Sequence, residues 1–431
     1  MKCIKCGTDN NLRDRIAHQS RCKNCGHSFV FDPKFMEKSL GFTDKFFDRA
    51  IFDLSAKGTL FFTSTQFYYF LDRRLKNRVS SFGSIGGWCL YLFIGFWFTA
   101  AFQDNPLILI AGSLIFNTCL ILVFFFRSGK QNKSYYHRLR FATDLIILGV
   151  LIIFSGFIFI ENGYLSFLTI LFFGLVSIYL GQKQRAKLKH DPDFLVAREK
   201  FEKWLDRWTN INQEITELLP SPIEESSESE VNPELGNYSF DRVVVCDTSS
   251  IAQMLIANNF HFEHNCAILS ITGYPQSVFK PVMEMLRRNP DLKVYAFHNA
   301  SPKGVGLVHH LQTRQNWFAE NNATIYDLGL LPRQILKNRN RFIRNSAESG
   351  NEAKEIPAAV RQSLSADEIA WLEKGNFVEL ESFGPKKLMQ VLSQGMAMSR
   401  EADIDEESSL VSIDVYDSDS DVFMISSDTF G

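Results

Sequence analysis

The stretch VYAFHNASPKGVG, residues 294–306, decides how the C-terminal half of this 431-residue chain folds. VYAF is a short apolar run of the kind that forms a buried strand. Pro302 and Gly304 turn the chain, and GLVHHL beyond them has the pattern of a helix. Working outward, DRVVVCD (241–247) is a strand, SSIAQMLIAN (249–258) a helix, NCAILSITGYP (265–275) a strand and turn, and VFKPVMEMLRR (278–288) a helix. Strands alternating with helices predict right-handed βαβ units and a mainly parallel sheet. Sites on such sheets gather at the C-terminal strand ends, where Asp247, Gly273, Asn299 and Ser301 fall. Mg²⁺ favours clustered carboxylates, and HNAS supplies none.

The formal charge of −2 argues against a nucleic-acid field over the whole molecule. Phenylalanine is abundant, forty in all, and the chain carries four apolar runs enriched in it, 85–102, 107–126, 142–160 and 164–180. Each is near the ~20 residues a helix needs to cross a bilayer, so four transmembrane helices over 85–182 are expected. Arg73, Arg74, Lys76 and Arg78 precede the first run. Arg127, Lys130, Lys133, Arg138 and Arg140 separate the second from the third, and Lys183, Arg185, Lys187 and Lys189 follow the fourth. The loops around QDNP and ENGY carry no basic residue, so the retention of Lys and Arg on the cytoplasmic side predicts a multi-pass protein with both termini cytoplasmic. The lipid bilayer is then its first partner. Asp144 reads as a solvated helix-end residue, and the polar, cysteine-rich start is not a signal peptide.

Four of the eight cysteines spell C-x2-C-x15-C-x2-C: Cys3, Cys6, Cys22 and Cys25, with Gly7 and Gly26 after each pair. Two intervening residues let both sulfurs reach one ion, and the glycine permits the tight turn behind them. A structural Zn²⁺ in a ribbon over 1–34 is the expectation. Four thiolates close the site, so the metal would fold the segment without doing chemistry. His18 and His27 read as surface residues, and the remaining cysteines as packing.

In GTLFFTSTQFYYFLDRRLKNR (58–78), Thr63 with Gln66 forms a capping box and Phe62 with Phe67 a hydrophobic staple, so a helix should begin there. Phe67, Phe70, Leu71 and Leu75 mark its buried face and Tyr69 falls opposite, with Tyr68 nearer the boundary. VAREKFEKWLDRWTNINQEITELL (196–219) suggests another helix, followed by the acidic linker PSPIEESSESEVNPELGN.

The succession VVVCDTSSIAQML, ITGYP and FHNASPKG resembles the toprim domain of type IIB topoisomerase A subunits and the related meiotic double-strand-break proteins. TIYDLGLLPRQIL, LSADEIAWLEKG and NFVELES are similar to the segments that follow toprim there, and TSTQFYY is similar to the winged-helix motif that carries the DNA-attacking tyrosine. The matches keep the family order over about 200 residues. The resemblance implies Tyr68 or Tyr69 as nucleophile, and it matches Asp247, Asn299 and Ser301 to the family's Glu and Asp-x-Asp metal ligands. Three negative charges become one, so Mg²⁺ is not expected. The basic residue before the tyrosine pair is also replaced, by Thr65 or Gln66.

The expected organisation is a multidomain membrane protein: zinc ribbon 1–34, a helical, partly winged-helix segment 40–80, the spans 85–182, a helix and acidic linker 190–240, a cytoplasmic toprim-like α/β domain 241–398 and an acidic disordered tail 399–431. Arg333, Lys337, Arg339, Arg341 and Arg344 form a basic stretch suited to phosphate, of DNA or of anionic lipid. The acidic tail could meet other proteins. The expected function is a membrane-anchored, noncatalytic binding or scaffolding protein with DNA as a candidate partner. The alternatives are a metal-dependent strand-cleaving enzyme with a tyrosine nucleophile, and a membrane protein-interaction module on a generic α/β domain.

Overall fold

A computed structural model of the chain describes residues 1–34, 36, 40–81, 106–129, 135–158, 164–187, 194–222, 240–288, 292–319, 323–337 and 342–402. It divides into two units, Met1–Asp72 with Val196–Gly431, and Arg73–Leu195.

In the ribbon, α1 (Leu12–Ala17) starts on an Asn11/Asp14 capping box and separates two cysteine knuckles. Each knuckle turns on a glycine with positive φ, Gly7 at 71° and Gly26 at 70°, whose N–H donates to the carbonyl of Cys3 or Cys22 at 2.9 Å. Next come α2 (Asp44–Leu54), β1 (Phe62–Thr63) and α3 (Ser64–Ser81). The predicted capping box is present: Thr63 N donates to Gln66 Oε1 at 3.0 Å, and Gln66 N to Thr63 Oγ1 at 3.1 Å. The Phe62 and Phe67 rings meet at 5.8 Å.

In the other unit, α4 (Pro106–Gly129), α5 (Tyr135–Ile158) and α6 (Tyr164–Lys187) pack together around Leu145, Leu148 and Ile152. Among the described residues no helix is long and apolar enough to cross a membrane. This corrects the expectation of four spans, and with it the transmembrane fold class and the multi-pass location with both termini cytoplasmic. The reason lies in where polar residues fall. Helix α5 opens on His137, Arg138 and Arg140, α6 closes on Lys183, Arg185 and Lys187, and Asn117 and Asp144 interrupt α4 and α5. Asn117 and Asp144 are buried, and Asp144 lies 3.8 Å from Arg140. The run at 85–102 lies outside the described residues, and the run at 142–160 ends beyond them. Ile115, Phe126, Phe154, Phe172 and Tyr179 are exposed on this unit.

The chain returns at α7 (Arg198–Asn212) and β2 (Leu218–Leu219), whose strand pairs in parallel with β1. Tyr68 Oη donates to the Val196 carbonyl at 2.6 Å, so the chain re-enters the first unit beside the helix on which it left.

The α/β core is a parallel sheet in the order β4-β3-β5-β6: β3 Arg242–Cys246, β4 Cys266–Ser270, β5 Lys293–Phe297 and β6 Ile325–Asp327. Its strands are apolar on both faces because helices cover both. Val243, Val245, Leu269, Val294 and Ala296 pack towards α9 (Gln276–Arg288) and α11 (Leu307–Thr313). The alternate residues Val244, Cys246, Ile268, Tyr295 and Phe297 pack with α8 (Ser249–Ala257) and α15 (Pro385–Ala402). Further elements around the sheet include α10 (Pro302–Val305), α12 (Pro332–Lys337), β7 (Arg344–Asn345), α13 (Ala347–Lys354), α14 (Ala366–Glu373) and β8 (Asn376–Phe377). The predicted α/β alternation is therefore present. From β3 the chain moves to β4 on one side and then crosses to β5 on the other, so the crevice of this sheet opens beyond the C-termini of β3 and β5.

Candidate metal centre and tyrosine site

The Sγ atoms of Cys3, Cys6, Cys22 and Cys25 all lie within 4.8 Å of one another. Cys3 and Cys25 are 3.7 Å apart, Cys6 and Cys22 3.6 Å. Those separations are far above the ~2.05 Å of a disulfide and match the edge of a tetrahedron whose vertices stand ~2.3 Å from a central ion, about 3.8 Å. Asn10 Nδ2 points at Cys22 Sγ from 3.4 Å. The four thiols can hold a metal ion. Among the described residues, no other group of three or more His, Cys, Asp or Glu side chains is close enough to share one, and His18 and His27 take no part.

The three positions matched to the family's metal ligands lie together at the sheet end, and each gives an oxygen to the protein's own backbone. Asp247 Oδ2 accepts from Asn299 N at 2.8 Å, Asn299 Oδ1 from Leu380 N at 2.6 Å, and Ser301 Oγ, capping α10, from Gly304 N at 3.0 Å. Asp247 Oδ1 is buried with no hydrogen-bond partner. Beneath them His298 is fully buried, its Nδ1 2.8 Å from the Asn299 carbonyl and its Nε2 2.9 Å from Asp327 Oδ1. Two glycines make this possible, because a Cβ at Gly304 would overlap the Asn299 carbonyl and one at Gly329 the His298 ring.

Tyr69 is 2% exposed, not on an open helix face. Its hydroxyl donates to Glu379 Oε2 at 2.6 Å, Arg344 Nη1 donates to Glu379 Oε1 at 3.0 Å, and the Phe342 ring meets Tyr69 edge-on at 4.8 Å. Close by, Thr63 Oγ1 donates to Glu381 Oε1 at 2.9 Å and Gln66 Nε2 to the Phe383 carbonyl at 3.1 Å. Burial, followed by the Glu379 charge, raises the Tyr69 phenol well above its ordinary range. Burial pushes Tyr68 up to about 12, and Arg198 stacks on its ring at 5.2 Å. Glu379 has the polarity of a base for Tyr69. Its other oxygen is held by Arg344, however, and the tyrosine is almost fully covered.

Sequence reasoning missed Glu379 and Glu381. Their signal is VELES, in which two acids alternate with Val378 and Leu380. Of the basic stretch, Arg344 belongs to this internal network, and Arg333 sits on α12, where its N–H donates to Glu368 Oε1 at 3.0 Å. Lys337 ends α12, while Arg339 and Arg341 lie outside the described residues, as do the linker at 223–239 and the tail at 403–431.

The site should make stability pH-dependent. Burial, with Glu379 adding to it, pushes Asp247 up to about 6, and burial with Glu379 and Asp247 pushes Glu381 up to about 7. Burial alone would lower His298, but the charge and hydrogen bond of Asp327 outweigh it and leave the imidazole above its usual value. Acids with raised folded pKa values take up protons on folding, so stability grows as pH falls from about 7 towards about 4. The His298 contribution is complete below about 6.5 and lost as pH rises through its folded value. The three signs agree. Asp327 is held low by His298 despite its burial and opposes them only in stronger acid. The melting temperature of the full chain is expected to fall by several degrees between pH 5 and pH 8, and Glu381→Gln should flatten that slope in thermal melts.

No family model matches the chain, and no curated protein matches it. The toprim resemblance therefore rests on the residues quoted for it.

Proposed function

We propose that the protein is a noncatalytic binding module, built from a zinc ribbon and a toprim-like α/β domain whose catalytic positions now serve structure. One observation carries this reading: Asp247, Asn299 and Ser301 each spend an oxygen on a backbone N–H of their own fold. A divalent ion that surrenders water reluctantly needs free carboxylates to replace it. An amide and a hydroxyl already in use do not compete, and without the ion nothing offsets charge developing on a phosphate. The buried, protonated Tyr69 supports the same reading. Zn²⁺ is the ion we assign to the four cysteines, because four thiolates in a closed tetrahedron suit it and its role there is structural. DNA is the partner to test first, since the resemblance points to it.

The test is incubation of the full chain with supercoiled DNA in Mg²⁺ or Mn²⁺. Neither nicking nor a covalent tyrosyl adduct is expected, and Tyr69→Phe should change any salt-dependent DNA binding by less than about twofold, under about 0.4 kcal/mol. Cleavage that vanishes in Tyr69→Phe or Tyr68→Phe would establish a strand-cleaving enzyme instead.

A further inference from the structure

The ribbon is not a detached appendage, and what it touches suggests a use for its metal. Behind the second knuckle, Val30 and Phe31 are buried, and their N–H groups donate to the two oxygens of the fully buried Asp44 at 3.1 and 2.7 Å. Arg15 of α1 pairs with Asp32 at 3.2 Å. The Phe31 ring meets Phe42 at 4.7 Å, Phe47 at 4.9 Å, Trp204 at 5.9 Å and Trp208 at 6.1 Å. From Phe47 the ring contacts continue to Phe67 at 5.0 Å, then to Phe201 at 5.6 Å and Tyr68 at 5.1 Å. Helix α3 is thus held on two sides. Its Phe67 and Tyr68 lean on rings that reach back to the ribbon, and its Tyr69, with Thr63 and Gln66 at its start, is bonded to residues 379–383 beside the sheet end.

We infer that metal loading of the ribbon controls how firmly the first turns of α3 are latched onto the toprim-like site, with Phe31 as the coupling residue. The inference rests on the proposed metal centre. The ribbon's own core is only Cys3, Cys22 and Phe29 with Met1 against them, too little to hold a segment of this size without the ion. If the ion leaves, the knuckle that leads into Phe31 loses its fixed geometry, and of the backbone anchors described only the Asp44 carboxylate still holds Phe31 among the four rings. A packed aromatic wall that loses one member relaxes only in part, leaving the neighbouring rings under-packed. Phe47 and Phe67 are next in line, and Phe67 is two residues from Tyr69. The metal would then act as a regulator of access to a site it does not touch, in the sense of a coupling between two positions through a packed element.

The experiment uses the full chain under reducing conditions, chelated and then titrated with Zn²⁺, with metal content measured alongside backbone hydrogen exchange. Chelation is expected to speed exchange at residues 62–71 at least tenfold while leaving 243–246 and 294–297 unchanged, and Zn²⁺ should reverse it. Phe31→Ala keeps all four cysteines. It should still bind one equivalent, yet exchange rapidly at 62–71 whether the metal is present or not. Loss of the metal with no change at 62–71 would overturn the coupling while leaving the metal centre intact. An equal rise in the sheet strands would also overturn it, since that is unfolding of the whole unit. Failure to bind stoichiometric Zn²⁺ at all would overturn the metal assignment and this inference together.

Discussion

Cys22→Ser is expected to unfold the ribbon in the otherwise intact chain, reducing bound Zn²⁺ from one equivalent to none and exposing the backbone amides of residues 1–31 to exchange. Serine is nearly isosteric and can keep the hydrogen bond that Asn10 Nδ2 now gives Cys22 at 3.4 Å, so local packing barely changes. What changes is chemistry, because a neutral hydroxyl is a poor ligand where the ion needs a thiolate. Apparent binding energies of structural zinc sites run to about 10 kcal/mol or more. That exceeds what Phe29 and Met1, the apolar groups under the knuckles that are not ligands, can supply at roughly 1.5–3 kcal/mol each. Exchange protection and metal content together check the prediction. Wild-type protection in a metal-free variant would mean that the ribbon folds on its own contacts.

The second large effect is expected from rearming the sheet end. Asn299→Asp and Ser301→Asp each keep the oxygen that now accepts from Leu380 N or Gly304 N and add one free to face a cation. Aspartate is also a good N-cap for α10. With Asp247→Glu the three matched positions become the full acidic set. Without metal, the added charges crowd Glu379 and Glu381 and should lower stability at pH 8, where Asp247 and Glu381 are already ionised against their burial. Millimolar Mg²⁺ should then raise the melting temperature of the variant and not of the parent, in line with an affinity gained at least tenfold, about 1.4 kcal/mol. The double variant that leaves Asp247 untouched keeps its bond from Asn299 N and guards against a fold lost to the longer glutamate. If both variants fold and neither responds to Mg²⁺, the three side chains do not converge on a common point and the toprim resemblance misleads.

Several features were legible from residues alone, because each is signalled by a short pattern. The C-x2-C-G pairs specify a turn and two sulfurs within a few residues. The Thr63/Gln66 box closes within one helical turn, and the apolar runs at 243–246, 266–270 and 294–297 declare strands buried on both faces. In each case the pattern that announces the feature is complete within a few residues, even where its partner, Cys25 for Cys3 or β5 for β3, comes from farther along the chain.

Burial is different, because it depends on what arrives from elsewhere. Helical periodicity assigns one inward face, and by that rule Tyr69 points outward. In the structure α3 is covered on two sides, and the second covering, Glu379 with Arg344 and Phe342, comes from more than 270 residues away. The same holds for the apolar runs on α4, α5 and α6. Their composition says that the side chains avoid water, but where charged and polar residues fall along the folded helices decides whether any helix can cross a bilayer. The tyrosine site, too, is built from distant pieces: Tyr69 meets Glu379, and Asn299 reaches Leu380. The residues alone announce the four-cysteine cluster, the helix start and the α/β alternation, because each is written in a short pattern. Which polar groups are spent on their own backbone, and which tyrosine is sealed, follows from packing between distant segments, since that packing chooses the partner any buried polar atom must find.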